Sequence, residues 1–171
     1  MGEQQDAVDH FIDRWAHVRP DVDVTPMAVI GRLSRLASLV QRQLDSVFGA
    51  YGLQSWEFDV LATLRRAGAG VSLTPGQLDR TMMISSGTTT HRLKRLEDRG
   101  WVLRERDSED GRSIRVQLTE EGLKVCDRVQ EAHMDNERAI LAGLTSEQQV
   151  QLAALLRSFA LSLGDRSPDA K

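Results

Sequence analysis

The sequence predicts a mainly α-helical fold that carries one small β-hairpin. Three observations lead there. Apolar residues recur at helical spacing through most of the 171 residues, in a chain poor in aromatics and rich in Leu, Ala, Arg and Glu. Thr74-Pro-Gly-Gln77 and Thr145-Ser-Glu-Gln148 are capping boxes, which mark helix starts at defined places. Between them, Ile114, Val116 and Leu118 alternate after a charged tip, Arg106-Asp-Ser-Glu-Asp-Gly-Arg112, as in a hairpin.

The elements follow in order. Residues 4–19 predict a short amphipathic helix with Val8, Phe11, Ile12, Trp15 and Val18 on one side, broken by Arg19-Pro20-Asp21. A longer helix opens near Pro26 and ends at Gly52. In it Ile30, Leu33, Ala37, Val40, Leu44, Val47 and Tyr51 form a heptad-like seam, suited to packing on another helix or a second copy. A third helix covers residues 55–67. The Thr74 box starts a short helix to about Met83, Ile84-Ser-Ser-Gly87 makes a turn, and residues 88–99 make the next helix, closed by Gly100. Helix, tight turn, helix and hairpin in that order predict a winged helix-turn-helix. Thr119 starts a long helix to about Ala142, and the second capping box opens the last one. The expected organisation is therefore a short helix and a long helix suited to scaffold a dimer (1–52), a winged helix-turn-helix DNA-binding region (53–118), two C-terminal helices (119–163) and a polar, disordered tail (164–171).

The single Cys126 excludes an intrachain disulfide, and no apolar run is long enough to span a membrane, so a soluble cytoplasmic protein is expected. The net charge is −3, yet residues 85–117 hold eight Lys/Arg against six Asp/Glu, a local +2. A basic reading surface on an acidic scaffold is compatible with nucleic acid. The four histidines are scattered, and no H-E-x-x-H, C-x-x-C, Walker or strand-linked G-x-G-x-x-G pattern occurs, so no enzyme and no metal or cofactor is expected.

With Leu93 and Leu96 set as the buried side of the second helix, Thr88, His91, Lys94 and Arg95 point outward at 100° per residue. Ser85, Ser86 and Thr88 are then candidates for phosphate or base edges, and Arg95 for bidentate guanine readout. Arg112 at the hairpin tip is the candidate minor-groove contact, with Asp110 shaping the turn.

The spacing D-x-R, five residues, then L-T-x-x-G, read from Asp110 to Gly122, resembles the wing signature of the MarR family of ligand-responsive transcription regulators. The extra N-terminal helix with its tryptophan resembles the urate-responsive, PecS-like branch of that family. The branch has a ligand pattern of four residues, and Trp15, Asp59, Arg92 and Arg104 stand at the matching places. The resemblance implies a homodimer whose N-terminal helices and C-terminal dimerisation helices (119–163) interleave, bound to double-stranded, pseudopalindromic operator DNA, most simply as a repressor. It also implies a pocket between scaffold and winged domain for a small anionic effector, urate or a related purine. An Asp59–Arg92 pair would tie the recognition helix to the scaffold, and the anion would disrupt it. The competing inputs are phenolic acids, oxidation at Cys126, for which a buried structural thiol is the plainer role, and protonation of His10, His17 or His133, for which surface positions are the plainer reading. A winged-helix protein interaction module is the distant alternative.

Overall fold

The computed structural model describes residues 5–82, 89–106 and 113–166. It comprises two units, Met1–Gln43 and Leu44–Lys171.

In the first unit, α1 (Ala7–Val18) begins three residues later than helical spacing alone suggests, because Asp6-x-x-Asp9 is itself a capping box. The Asp6 carboxylate accepts from the Val8 and Asp9 amides at 2.7 and 3.0 Å, and Asp9 accepts from the Asp6 amide at 2.9 Å. Arg32, on α2 (Met27–Ala50), reaches both carboxylates, with Nε 2.8 Å from Asp6 and Nη2 2.5 Å from Asp9. The Arg32 hydrogen bond holds the Asp9 carboxyl below the usual carboxylate range. Gly31 lets the helices approach: a Cβ there would lie 3.1 Å from Cγ1 of the buried Val8.

The second unit starts with the end of α2 and continues through α3 (Ser55–Ala67), α4 (Pro75–Thr81), α5 (Thr89–Asp98), β1 (Val102–Arg106), β2 (Ile114–Leu118), α6 (Glu120–Ile140), a 3-10 turn at Leu141–Gly143 and α7 (Ser146–Ser162). The central helix is α3, whose Val60, Leu61 and Leu64 are buried together with Leu78 of α4, Leu93 and Leu96 of α5, Val116 of β2 and Val129 of α6. The strands pair antiparallel from Val102↔Leu118 to Arg106↔Ile114. Leu73, before α4, adds a single bridge to Val116 through backbone bonds of 2.9 and 2.8 Å. No sequence pattern announces that bridge, since one residue has no periodicity.

The L-T-x-x-G spacing has a direct structural reason. Thr119 caps α6 by accepting from the Gly122 amide at 3.0 Å, and its hydroxyl donates to the Gly100 carbonyl at 2.7 Å. The first turn of α6 is thereby seated on the end of α5, where Gly100 takes a φ of +72°. α7 contributes no buried residue, and α2 buries only Phe48. Among the described residues no helix is long and apolar enough to cross a membrane.

Candidate nucleic-acid interface and effector residues

α5 is anchored to the core by Leu93 and Leu96, which leaves His91, Lys94 and Asp98 on its exposed side. Lys94 Nζ lies 3.2 Å from Asp98, one helical turn on. Arg92, Arg95 and Arg99 are spaced by three and four residues and therefore share a flank. That flank meets the N-terminal end of α3. The Arg92 and Arg95 guanidiniums lie 5.2 and 5.7 Å from the centre of the Trp56 ring, within cation–π range. Arg95 Nε is 3.1 Å from the carboxylate of Glu57, and Arg99 Nη1 is 3.2 and 3.3 Å from its two oxygens. Glu57 is fully buried, 0% exposed, and also accepts from the Gln54 amide at 2.8 Å. Arg99 is held further by the Gly52 carbonyl at 2.9 Å and by the Trp101 ring, 3.6 Å beneath its guanidinium.

A second ion pair joins α5 to the hairpin. Arg104 of β1 places Nη2 2.6 Å and Nε 2.8 Å from Oε2 of Glu97. Both side chains are about two-thirds buried or more, so the pair is screened less than a surface one.

The sequence-predicted residues are distributed as follows. His91 and Lys94 face outward from α5, as their spacing requires. Arg95 is half exposed, at 48%, with its Nε end turned to Glu57. Of the effector set, Trp15 is half exposed on α1 in the first unit, beside Phe11, Arg14 and Val18. Asp59, Arg92 and Arg104 belong to the second unit and are half-buried there. Ser85, Ser86, Thr88, Asp110 and Arg112 lie outside the described residues. Sequence reasoning passed over Glu57, Glu97 and Arg99, and took Trp56 only as core. Two signals were available: Gln54-x-x-Glu57 has capping-box spacing, and the arginines at 92, 95 and 99 repeat on one helical stripe.

The alternative input residues are also placed. Cys126 is buried against α3, and desolvation pushes its thiol up to about 11. His10 and His17 are exposed. His133 is not a surface histidine: it packs against the stacked pair Phe48 and Phe58, with ring centroids 5.1 and 5.2 Å away, and its Nε2 is 3.2 Å from Glu137. Among the described residues no cluster of three or more His, Cys, Asp or Glu could hold a metal ion.

Residues 51–113, which include α3 to β1, match the family model described as MarR family. The chain is 47% identical over 149 residues to the HTH-type transcriptional regulator PecS of Dickeya dadantii, covering 87% of this chain and 90% of that one. The chain belongs to the MarR family. Within the MarR family it falls in the PecS-like branch, and it is also 28% identical over 130 residues to the multiple antibiotic resistance protein MarR of Salmonella typhimurium, across 73% of this chain and 88% of that one. Its fold is similar to that of a mutant MarR from E. coli complexed with operator DNA, with a TM-score of 0.68 and 26% identity, over 81% of this chain and 99% of that one. These MarR-family relatives are transcriptional regulators, so the chain is a winged helix-turn-helix regulator and not an enzyme.

Proposed function

We propose that the protein represses transcription by binding a pseudopalindromic operator as a homodimer in the cytoplasm, and that a small anionic purine such as urate releases it. The observation that carries DNA binding is the exposed side of α5, with His91 and Lys94, in a chain whose MarR relative has been captured on operator DNA. Ser85, Ser86 and Thr88 before α5, together with Arg95, complete the proposed major-groove contacts, and Arg112 the minor-groove contact.

The dimer is supported by unpartnered apolar surface. α7 exposes Val150, Leu155, Leu156 and Leu161, and α2 exposes Ile30 and Leu33 along its seam, with Tyr51 just beyond its end. Patches of this kind are uncommon on monomers and are covered most economically by a second copy.

The effector proposal rests on the four-residue pattern Trp15, Asp59, Arg92 and Arg104. The Glu97–Arg104 pair supports it physically. An anion bound by Arg104 competes with Glu97, a residue of the recognition helix, so ligand and helix position are coupled. The burial and raised pKa of Cys126 disfavour oxidation as the input, because a thiol that stays protonated is a poor nucleophile. The reading is tested by isothermal titration of urate into wild type, Asp59→Ser and Arg92→Ala. Binding to wild type that is lost in both variants supports it. Equal binding in all three refutes the site, and binding of salicylate but not urate favours the phenolic-acid reading.

A further inference from the structure

We propose that Glu57 is a positioning residue for base recognition: its buried carboxylate aims the Arg95 guanidinium at a guanine of the operator. The proposal rests on the reading of α5 as the recognition helix and deepens it.

The charge on Glu57 calls for an explanation. At the third position of a helix its capping bond to the Gln54 amide is one that glutamine makes equally well, without burying a charge. What glutamine does not supply is a countercharge for two arginines. Glu57 faces both Arg95 and Arg99, and one carboxylate neutralises one of them.

The two arginines are used differently. Arg99 is held by the Gly52 carbonyl, by both Glu57 oxygens and by the Trp101 ring. Arg95 touches Glu57 through Nε, lies against the Trp56 ring, and keeps half of its side chain exposed. An arginine held at Nε retains its Nη1–Nη2 edge, the edge that matches guanine O6 and N7. Fixing the long side chain before DNA arrives removes rotamer freedom that binding would otherwise have to remove. Trp56 and Glu57, adjacent on α3, thus hold the arginine from its face and from its rear edge.

The test is selection of binding sites from a random duplex pool by the full-length protein, followed by affinity measurement on the selected site and on alternating poly(dA-dT), which lacks the guanine O6–N7 edge. Wild type is expected to select a motif with a guanine preference in each half-site. Arg95→Ala and Glu57→Gln are each expected to lose that preference at the same base pair, by about ten-fold or more. Binding to poly(dA-dT) stays within about two-fold in both, and the double variant loses no more guanine preference than either single one. A merely structural Glu57 would lower the melting temperature and weaken all DNA binding together, without altering one base preference; that result overturns the proposal. So does a Glu57→Gln motif identical to that of wild type. If Glu57→Gln does not fold, Glu57→Asp decides, because aspartate keeps the charge but draws the carboxylate back from Arg95 by one methylene: an intact guanine preference there overturns the proposal. A wild type that selects no motif refutes the operator reading itself.

Discussion

Gly122 and Trp101 are in direct backbone contact: a Cβ built on Gly122 would stand 1.9 Å from the Trp101 carbonyl oxygen and 2.8 Å from its carbonyl carbon. Main chain cannot yield as a flexible side chain can, so the first turn of α6 is seated on the start of β1 at a distance only glycine allows. Gly122→Ala is therefore expected to destabilise the fold, although alanine is the better helix former by about 1 kcal/mol. Overpacking of about 3 kcal/mol against that gain leaves a net loss of about 2 kcal/mol. The urea unfolding midpoint should fall accordingly, and an unchanged or raised midpoint would show that α6 seats otherwise.

Cys126 sets an alkaline limit. Its thiol rises from an ordinary 9.0 to about 11 on burial, so the folded protein holds that proton more tightly than the unfolded chain. The contribution is complete below pH 9 and lost as pH rises toward 11. It is worth on the order of 2 kcal/mol. Denaturant unfolding at stepwise pH should show this loss in wild type and a shallower one in Cys126→Ala. Thiol labelling at about pH 8, near the ordinary thiol range, should be slow in the folded state. Rapid labelling would contradict the buried, protonated thiol.

The Glu97–Arg104 pair makes a prediction about the effector. Glu97→Gln removes the internal competitor for Arg104, so urate is expected to bind several-fold more tightly while stability drops by roughly 2 kcal/mol. Arg104→Ala should abolish urate binding with a similar stability change. Calorimetric titration reads both, and weaker urate binding in Glu97→Gln would dissociate this pair from effector recognition.

Much of this fold was legible in the sequence. The starts of α4 and α7 follow from their capping boxes, and the end of α5 from Gly100. Asp6-x-x-Asp9 is the same kind of signal, which helical spacing of the apolar residues obscured. The site was legible in part. His91 and Lys94 follow from the helical period once Leu93 and Leu96 are assigned to the core. The partners of Arg95 and Arg104 did not follow, because Glu57 and Glu97 reach them through tertiary packing that no local period encodes. Glu57 in particular contradicts the expectation that a charged residue faces solvent. His133 was misjudged for a related reason: its aromatic neighbours Phe48 and Phe58 come from α2 and α3, far from it in sequence.

The exposed face of α7 predicts the assembly. Leu155 is 70% exposed in the single chain, and burying it at an interface contributes about 2 kcal/mol per copy. Leu155→Glu is expected to convert a dimer to monomer at micromolar concentration in sedimentation equilibrium. A wild type that sediments as a monomer would remove the dimer from the account.

The central claim is that α5 grips operator DNA and that a purine anion loosens the grip. It is tested most directly by fluorescence anisotropy of a duplex carrying the selected motif, titrated with protein at stepped salt, with and without urate. We expect binding to the motif to exceed binding to a scrambled duplex by about a thousand-fold, to weaken steeply with salt, and to weaken by about ten-fold or more when urate saturates the protein. Equal affinity for motif and scrambled duplex, or an isotherm that urate leaves in place, would contradict it.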